Sequence, residues 1–250
     1  MPYGLYISAE GAQAQSRRLE VIANNLANVG TVGFKRDLGI LQSRYSEAVQ
    51  QGYATPGAGS IGDLGGGVRF QETKTDFSTG PLKRTGEPTD AALTCDGFFL
   101  VRKGQETLLT RAGDFRLTAA GQLVTQQGYP VLGEGNASIT INPANGPWDI
   151  TASGEVVQGD NRQPLAIVKP GSLGDLVKTG ENLFRPLAPP LPLPPAQRNV
   201  APGYLEMSGV QPTTEMTTMI EASRMLEANV NVLKSQNQML EGLISRVLRA

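Results

Sequence analysis

The spacing of apolar positions changes character twice along the chain. Between residues 4 and 29 it follows a seven-residue repeat: Leu5, Ala12, Leu19 and Leu26, with Ile22 and Val29 three residues after the last two. That spacing predicts a helix about 39 Å long with a narrow apolar seam, small residues beside it (Ala9, Ala23, Ala27) and Gly30 as its C-terminal cap. Helical character is expected to persist through Leu38, Leu41 and Tyr45. At the other end, residues 213 to 249 alternate steps of three and four: Met216, Met219, Ser223, Leu226, Val230, Leu233, Asn237, Leu240, Ile244 and Val247. Thr213 or Thr214 can cap this helix, with Glu215 in its first turn and Arg246 and Arg249 in its last, where they suit the helix dipole. Gly242 is its one weak position.

Between these ends the period shortens. Residues 46 to 80 carry Gly52, Pro56, Gly57, Gly59, Gly62 and Gly65 to Gly67, and read as a turn-rich connector with short extended pieces such as Val68 to Thr73. Residues 81 to 185 read as short strands: Phe98 to Val101, Leu108 to Thr110, Phe115 to Leu117, Gly121 to Thr125, Tyr129 to Gly133, Ser138 to Ile141, Trp148 to Thr151, Glu155 to Val157 and Leu165 to Val168. Turn residues about every eight to twelve positions argue for an antiparallel all-β domain. The prolines of 186 to 202 suggest a stiff connector. The expected organisation is an N-terminal helix (1–45), a Gly-rich connector (46–80), a β domain (81–185), a Pro-rich linker (186–202) and a C-terminal helix (203–250). The fold class is α+β, with the terminal helices paired as a coiled coil and the antiparallel domain inserted between them. A 3-4 stripe is too narrow to wrap a core and requires a second helix alongside. The surrounding amides Asn24, Asn25, Asn28, Asn229, Asn231, Gln236, Asn237 and Gln238 suit polar contacts with further helices.

Composition narrows the chemistry. The chain has 250 residues, 39% of them hydrophobic, with 22 basic against 23 acidic side chains, so no global charge points to nucleic acid or an anionic surface. It has no histidine, which removes the commonest general base and metal ligand. The single cysteine, Cys95, allows no internal disulfide and reads as a small core residue. The first basic residue is Arg17 and Glu10 interrupts the apolar start, so no Sec signal is expected. No segment has the roughly 18 apolar residues of a membrane span. Gly62-Asp-Leu-Gly-Gly-Gly lacks the Lys and Ser/Thr of a phosphate loop and reads as a turn. Asn136-Ala-Ser138 matches a glycosylation sequon, a pattern common by chance. Asp96 and Asp114 read as scattered turn acids, and no hydrolase triad can form without histidine. No catalytic residue, cofactor, metal or small-molecule substrate is expected. The rival readings are a cell-wall hydrolase on the β domain and a soluble coiled-coil adaptor.

Three stretches carry a family resemblance. Leu19-Glu-Val-Ile-Ala-Asn-Asn-Leu-Ala-Asn-Val-Gly-Thr-Val-Gly-Phe-Lys-Arg36 contains Asn24, Asn25, Leu26, Ala27 and Asn28, then Thr31, Gly33, Phe34 and Lys35. Asp96-Gly-Phe-Phe-Leu-Val101 is followed by Thr110-Arg-Ala-Gly-Asp-Phe115, Gly121 to Thr125 and Gly128 to Gly133. Leu205-Glu-Met-Ser-Gly-Val210 precedes Glu215 to Ile220 and Arg224 to Asn229. Together these resemble bacterial flagellar axial proteins, the rod and hook family, over nearly the whole chain and in the family's order. The resemblance implies a structural subunit of the basal-body rod. Its partners would be other rod subunits and the flagellar type III export apparatus, through which it passes unfolded without a cleaved signal. It also implies helical polymerisation through paired terminal helices, with no nucleic acid and no membrane insertion. Length, the single β insert and Gly128 to Gly135 look most like a proximal-rod member, with distal-rod and hook members as alternatives. The chain departs from the family pattern at Gly209, where Asn is usual, and at Leu226, where an aromatic is usual.

Overall fold

The computed structural model describes residues 3–53, 55, 65–142 and 145–247 and divides the chain into two compact units. The first unit holds the helix α1 (Tyr3–Ala27), strand β1 (Asp37–Ser43), the single turn α2 (Glu47–Gln50), strand β2 (Val68–Thr75) and the long helix α3 (Pro212–Val247). The second unit comprises residues 28–36 and 77–210 and is built of strands. These are β3 (Leu82–Arg84), β4 (Ala91–Leu93), β5 (Phe98–Lys103), β6 (Glu106–Thr110), β7 (Arg116–Leu117), β8 (Leu123–Val124), β9 (Asp149–Ile150), β10 (Glu155–Gln158) and β11 (Asn161–Pro164). They continue with β12 (Ile167–Lys169), β13 (Leu176–Gly180), β14 (Leu183–Pro186), β15 (Leu191–Pro192), β16 (Val200–Pro202) and β17 (Tyr204–Glu206). The fold is therefore α+β, with antiparallel sheets in the inserted part.

The main sheet runs β13-β14-β6-β5-β12-β15, antiparallel throughout. Its centre explains the unbroken run Phe98-Phe99-Leu100-Val101. Successive side chains of a strand point to opposite faces, and here both faces are covered. Phe99 and Val101 enter the large core with Leu123, Val131, Ile150 and Leu165. Phe98 enters a smaller one with Leu109, Val168 and Phe184. Phe77, Phe98 and Phe184 meet edge-on or tilted, with ring centroids 5.4–5.9 Å apart. Each such side chain contributes about 1.5–3 kcal/mol on burial.

Four expectations are corrected. Residues 37–43 continue not as helix but as β1, paired with β2 through a bulge between Ile40 and Leu41. Gly39 permits this pairing, since a Cβ there would come within 2.9 Å of the Phe70 ring. Gly30 is not the cap of α1: the helix ends at Ala27, and the left-handed residue of the following turn is Gly33, with φ +67°. Residues 186–202 are not a free-standing linker. Leu191–Pro192 pairs with Val168–Lys169, Val200–Pro202 pairs with Ala91–Leu93, and Leu193 and Val200 are buried. Proline is tolerated there because these are edge strands. Finally, α3 begins at Pro212, not at Thr213, with the Glu215 amide donating to the Gln211 carbonyl at 3.0 Å. Proline suits the first helical position because its missing N–H would be unbonded anyway. The glycine-rich run beginning at Gly62 and the last residues of the C-terminal helix, Arg249 included, lie partly or wholly outside the described residues. No described helix is long and apolar enough to cross a membrane.

Candidate functional site

The two long helices lie antiparallel, as two pairs of residues show. A Cβ built on Gly4 would stand 2.9 Å from Gln236 Nε2, and one built on Gly11 would stand 3.2 Å from Asn229 Nδ2. Seven residues forward on α1 thus match seven residues back on α3. The same steps bring Arg18 level with Ala222 and Asn25 level with Glu215, and of these four all but Arg18 are buried.

Ile22 is buried. Leu5, Ala12, Leu19, Leu26, Met219, Leu226, Val230, Leu233 and Leu240 are half-buried. Val29 lies beyond the end of α1 and is also half-buried. Met216, Ile244 and Val247 are exposed, at 54%, 57% and 75%. The row of α3 that meets α1 takes its alternate members one residue earlier than the apolar pattern suggested, at Glu215, Ala222, Asn229 and Gln236. Small size opposite bulk decides this. Gly4 and Gly11 leave room that the amides fill, so hydrophobicity alone misplaces the seam. A legible signal existed in the two glycines seven residues apart inside a helix. Each costs about 1 kcal/mol there, which a close helix approach explains.

The asparagine motif ties α1 to strand β1. Asn25 is buried and makes a reciprocal pair with Asp37: its Nδ2 donates to the Asp37 carbonyl at 2.8 Å, and its Oδ1 accepts from the Asp37 amide at 2.9 Å. Asn28 Oδ1 accepts from the Thr31 hydroxyl at 3.1 Å, and its carbonyl from the Thr31 amide at 3.1 Å. Leu26 is half-buried, whereas Asn24 and Ala27 are exposed. Gly33 must be glycine twice over. Its φ is positive, and a Cβ would come within 2.6 Å of the Ala112 amide nitrogen. Phe34 is buried, with the Lys178 ammonium 4.5 Å from its ring centre.

The three resembling stretches converge on one buried ionic cluster. Lys35 donates to Glu206 Oε1 at 2.6 Å and to the Ser78 carbonyl at 2.8 Å. Glu206 Oε2 lies 3.5 Å from Arg111 Nη1, which also donates to the Leu93 carbonyl at 3.2 Å. Lys35 and Glu206 side chains are 1% exposed and that of Arg111 is 3%. The Arg111 guanidinium also lies over the Phe98 ring, 5.0 Å from its centre. Burial pushes the Arg111 pKa down, and the Glu206 charge opposes that shift. Sequence reasoning named Lys35, Arg111 and Glu206 only as letters within motifs. Their meeting depends on residues 171 positions apart coming together.

The acids singled out from the sequence part company. Asp96 is exposed and pairs with Lys169 at 3.3 Å. Asp114 instead bridges through its backbone to Asp90, a buried acid. Burial is the main cause raising the Asp114 pKa, with the Asp90 charge adding to it. A carboxyl whose folded pKa lies above its unfolded value leaves stability complete below that unfolded value, about 3.9, and reduces it as pH rises through the folded one. Asp114→Asn should therefore raise the melting temperature at pH 7 by about 2 °C, modest because water reaches the site. At pH 3 it should give no gain, as thermal scans of both proteins at the two pH values will show.

A cleft of 730 Å³ in the second unit is walled by Pro190, Pro192, Pro194 and Pro195 and floored by Leu100 and Val168. Its charged lining residues among those described, Glu134 and Arg198, are paired with each other. Its surface has the character of packing rather than of acid–base chemistry.

Comparison with known proteins agrees with the three stretches. A family model described as flagella basal body rod protein matches residues 5–35. One described as flagellar hook protein FlgE/F/G D1 domain matches 92–158, and one described as flagellar basal body rod FlgEFG protein C-terminal matches 201–246. The flagellar basal-body rod protein FlgF of Caulobacter vibrioides is 32% identical over 249 residues, covering 99% of this chain and 98% of that one. FlgG of Bacillus subtilis is 32% identical over 257 residues, covering 96% and 97%. FlgF of Mesorhizobium japonicum is 30% identical over 238 residues, covering 94% and 93%. With relatives matched from end to end, the chain belongs to the family of flagellar basal-body rod proteins.

Proposed function

We propose that this chain is a non-catalytic subunit of the proximal part of the flagellar rod, polymerising with other rod subunits through its terminal helices. There it forms part of the drive shaft and of the channel through which later components pass. The observation that carries this reading is the unfilled flank of the helix pair. Met225, Val232 and Met239 stand seven residues apart on α3, and they are 49%, 45% and 59% exposed. A repeating apolar row on a helix that already has one partner calls for another helix. Leu5, Ala12, Leu19, Ile22, Leu26, Met219, Leu226, Leu233 and Leu240 close the pair as a coiled coil, with Asn229 rather than its half-buried neighbour Val230 set against Gly11. Met216, Ile244 and Val247, exposed in the single chain, become covered in the assembly together with that row.

The proximal assignment draws on alignment length as well. The Caulobacter FlgF match covers 99% of this chain in 249 positions, whereas the Bacillus FlgG match needs 257 positions to cover 96%, so gaps must be opened. On the same reading the chain reaches the rod through the flagellar export apparatus, unfolded and without losing a signal peptide.

Deletion of the gene should abolish swimming and leave basal bodies without a complete rod, and a plasmid copy should restore both. A gold label on the restored protein should sit in the inner-membrane half of purified rods. Label in the outer half would move the assignment to the distal rod. A complete rod in the deletion strain would refute the structural role.

A further inference from the structure

The chain passes between the two units at four junctions: Ala27/Asn28, Arg36/Asp37, Asp76/Phe77 and Val210/Gln211. Inside the second unit, the segments next to these junctions are bonded to one another around a single carboxylate. Glu206 Oε1 accepts from Lys35, beside the second junction, and from the Gly80 amide at 2.9 Å, beside the third. The Glu206 carbonyl accepts from the Gly33 amide at 2.6 Å, on the segment leading from the first junction. Lys35 reaches across to the Ser78 carbonyl, the Met207 amide donates to the Pro81 carbonyl at 2.9 Å, and the Gly209 amide donates to the Phe34 carbonyl at 3.2 Å. Arg111 holds the second carboxylate oxygen and roots the group on β4 through the Leu93 carbonyl.

Apolar side chains of similar volume stabilise a core at least as well as buried ions do. What ions add is direction, because each bond fixes one segment against another. We propose that the Lys35–Glu206–Arg111 cluster is a clasp. It holds the four chain segments that leave the β unit at fixed spacing, so that strain arriving along one segment is shared by the others. The clasp itself stands apart from the rod reading; only the sharing of strain during rotation rests on it.

Lys35→Met removes the central donor and leaves Glu206 paired with Arg111. Lys35→Met/Glu206→Met/Arg111→Met replaces the whole cluster by apolar volume. Hydrogen exchange on the purified full chain tests both variants, whether or not the chain enters rods. In each, peptides covering residues 28–36, 77–82 and 206–210 should exchange about a hundredfold faster, while β5 and β6 stay within about threefold of the parent. Unchanged exchange in the three peptides, equal acceleration of β5 and β6, or failure of both variants to fold would overturn the clasp. In cells, swimming speed of the Lys35→Met strain should fall more steeply with medium viscosity than that of the parent. Equal slopes would overturn the sharing of strain.

Discussion

Gly113→Ala should unfold the β unit. A Cβ at this position would stand 1.6 Å from the Ala91 carbonyl oxygen and 2.8 Å from its carbonyl carbon, both backbone atoms. Neither side can yield cheaply. Ala91 is fully buried, its amide donates to the Gly113 carbonyl at 3.0 Å, and β4 is held on its other edge by β16. Displacing β4 would also disturb Arg111, whose guanidinium rests on the Leu93 carbonyl. The expected loss is about 4 kcal/mol or more, at the upper end for a single substitution. Urea denaturation followed by the fluorescence of Trp148, the one tryptophan, will measure it. Gly171→Ala is the matched control. Nothing lies within 4 Å of its added Cβ, so it should change stability by less than about 0.5 kcal/mol. A Gly113→Ala chain with the parent's urea midpoint would mean that the approach of β4 is not what the structure shows.

The second large effect concerns assembly. Met225→Glu combined with Met239→Glu places two charges on the exposed row of α3 and leaves the residues facing α1 untouched. In the isolated chain, helicity and melting temperature should stay close to the parent's, because surface substitutions away from packing contacts change stability little. In the rod, each carboxylate would be buried without a partner, at roughly 3 kcal/mol, which weakens association more than a hundredfold per site. Swimming halos should vanish and the protein should be missing from purified basal bodies. Ala222→Glu gives the contrasting pattern, since Ala222 on α3 is fully buried. It should lower helicity of the isolated chain before assembly is even attempted. Normal halos from the Met225/Met239 double variant would show that this row faces solvent in the rod.

Legibility differed by element and for physical reasons. Phe98 to Val101 and Leu108 to Thr110 were readable because a strand buried on both faces needs an unbroken apolar run. Strand β1 is not legible as a strand, because Leu38 and Leu41 fit a helical spacing and the partner that makes them a strand, β2, lies some thirty residues later. The prolines of 186–202 looked like a spacer because their missing amides forbid a central strand, yet edge strands accept them. The helix seam was half read. Leu226, Leu233 and Leu240 are visible through their size, while Asn229 and Gln236 are hidden because what selects them is the glycine opposite. Glu206 was invisible as a site, since one acidic residue in a short strand carries no sign that a lysine and an arginine lie buried against it.

The sequence by itself determined that the ends are long helices with seven-residue repeats, that a strand-rich insert separates them, and that histidine-dependent catalysis is closed to this chain. Those properties come from local periodicity and from which side chains exist, and no fold can alter them. Only the tertiary structure decided which face of α3 meets α1, that the prolines join a sheet, and that Lys35, Arg111 and Glu206 share one buried site. Each of these depends on what stands opposite a residue in space: a glycine's missing side chain, a sheet edge, a countercharge far along the chain.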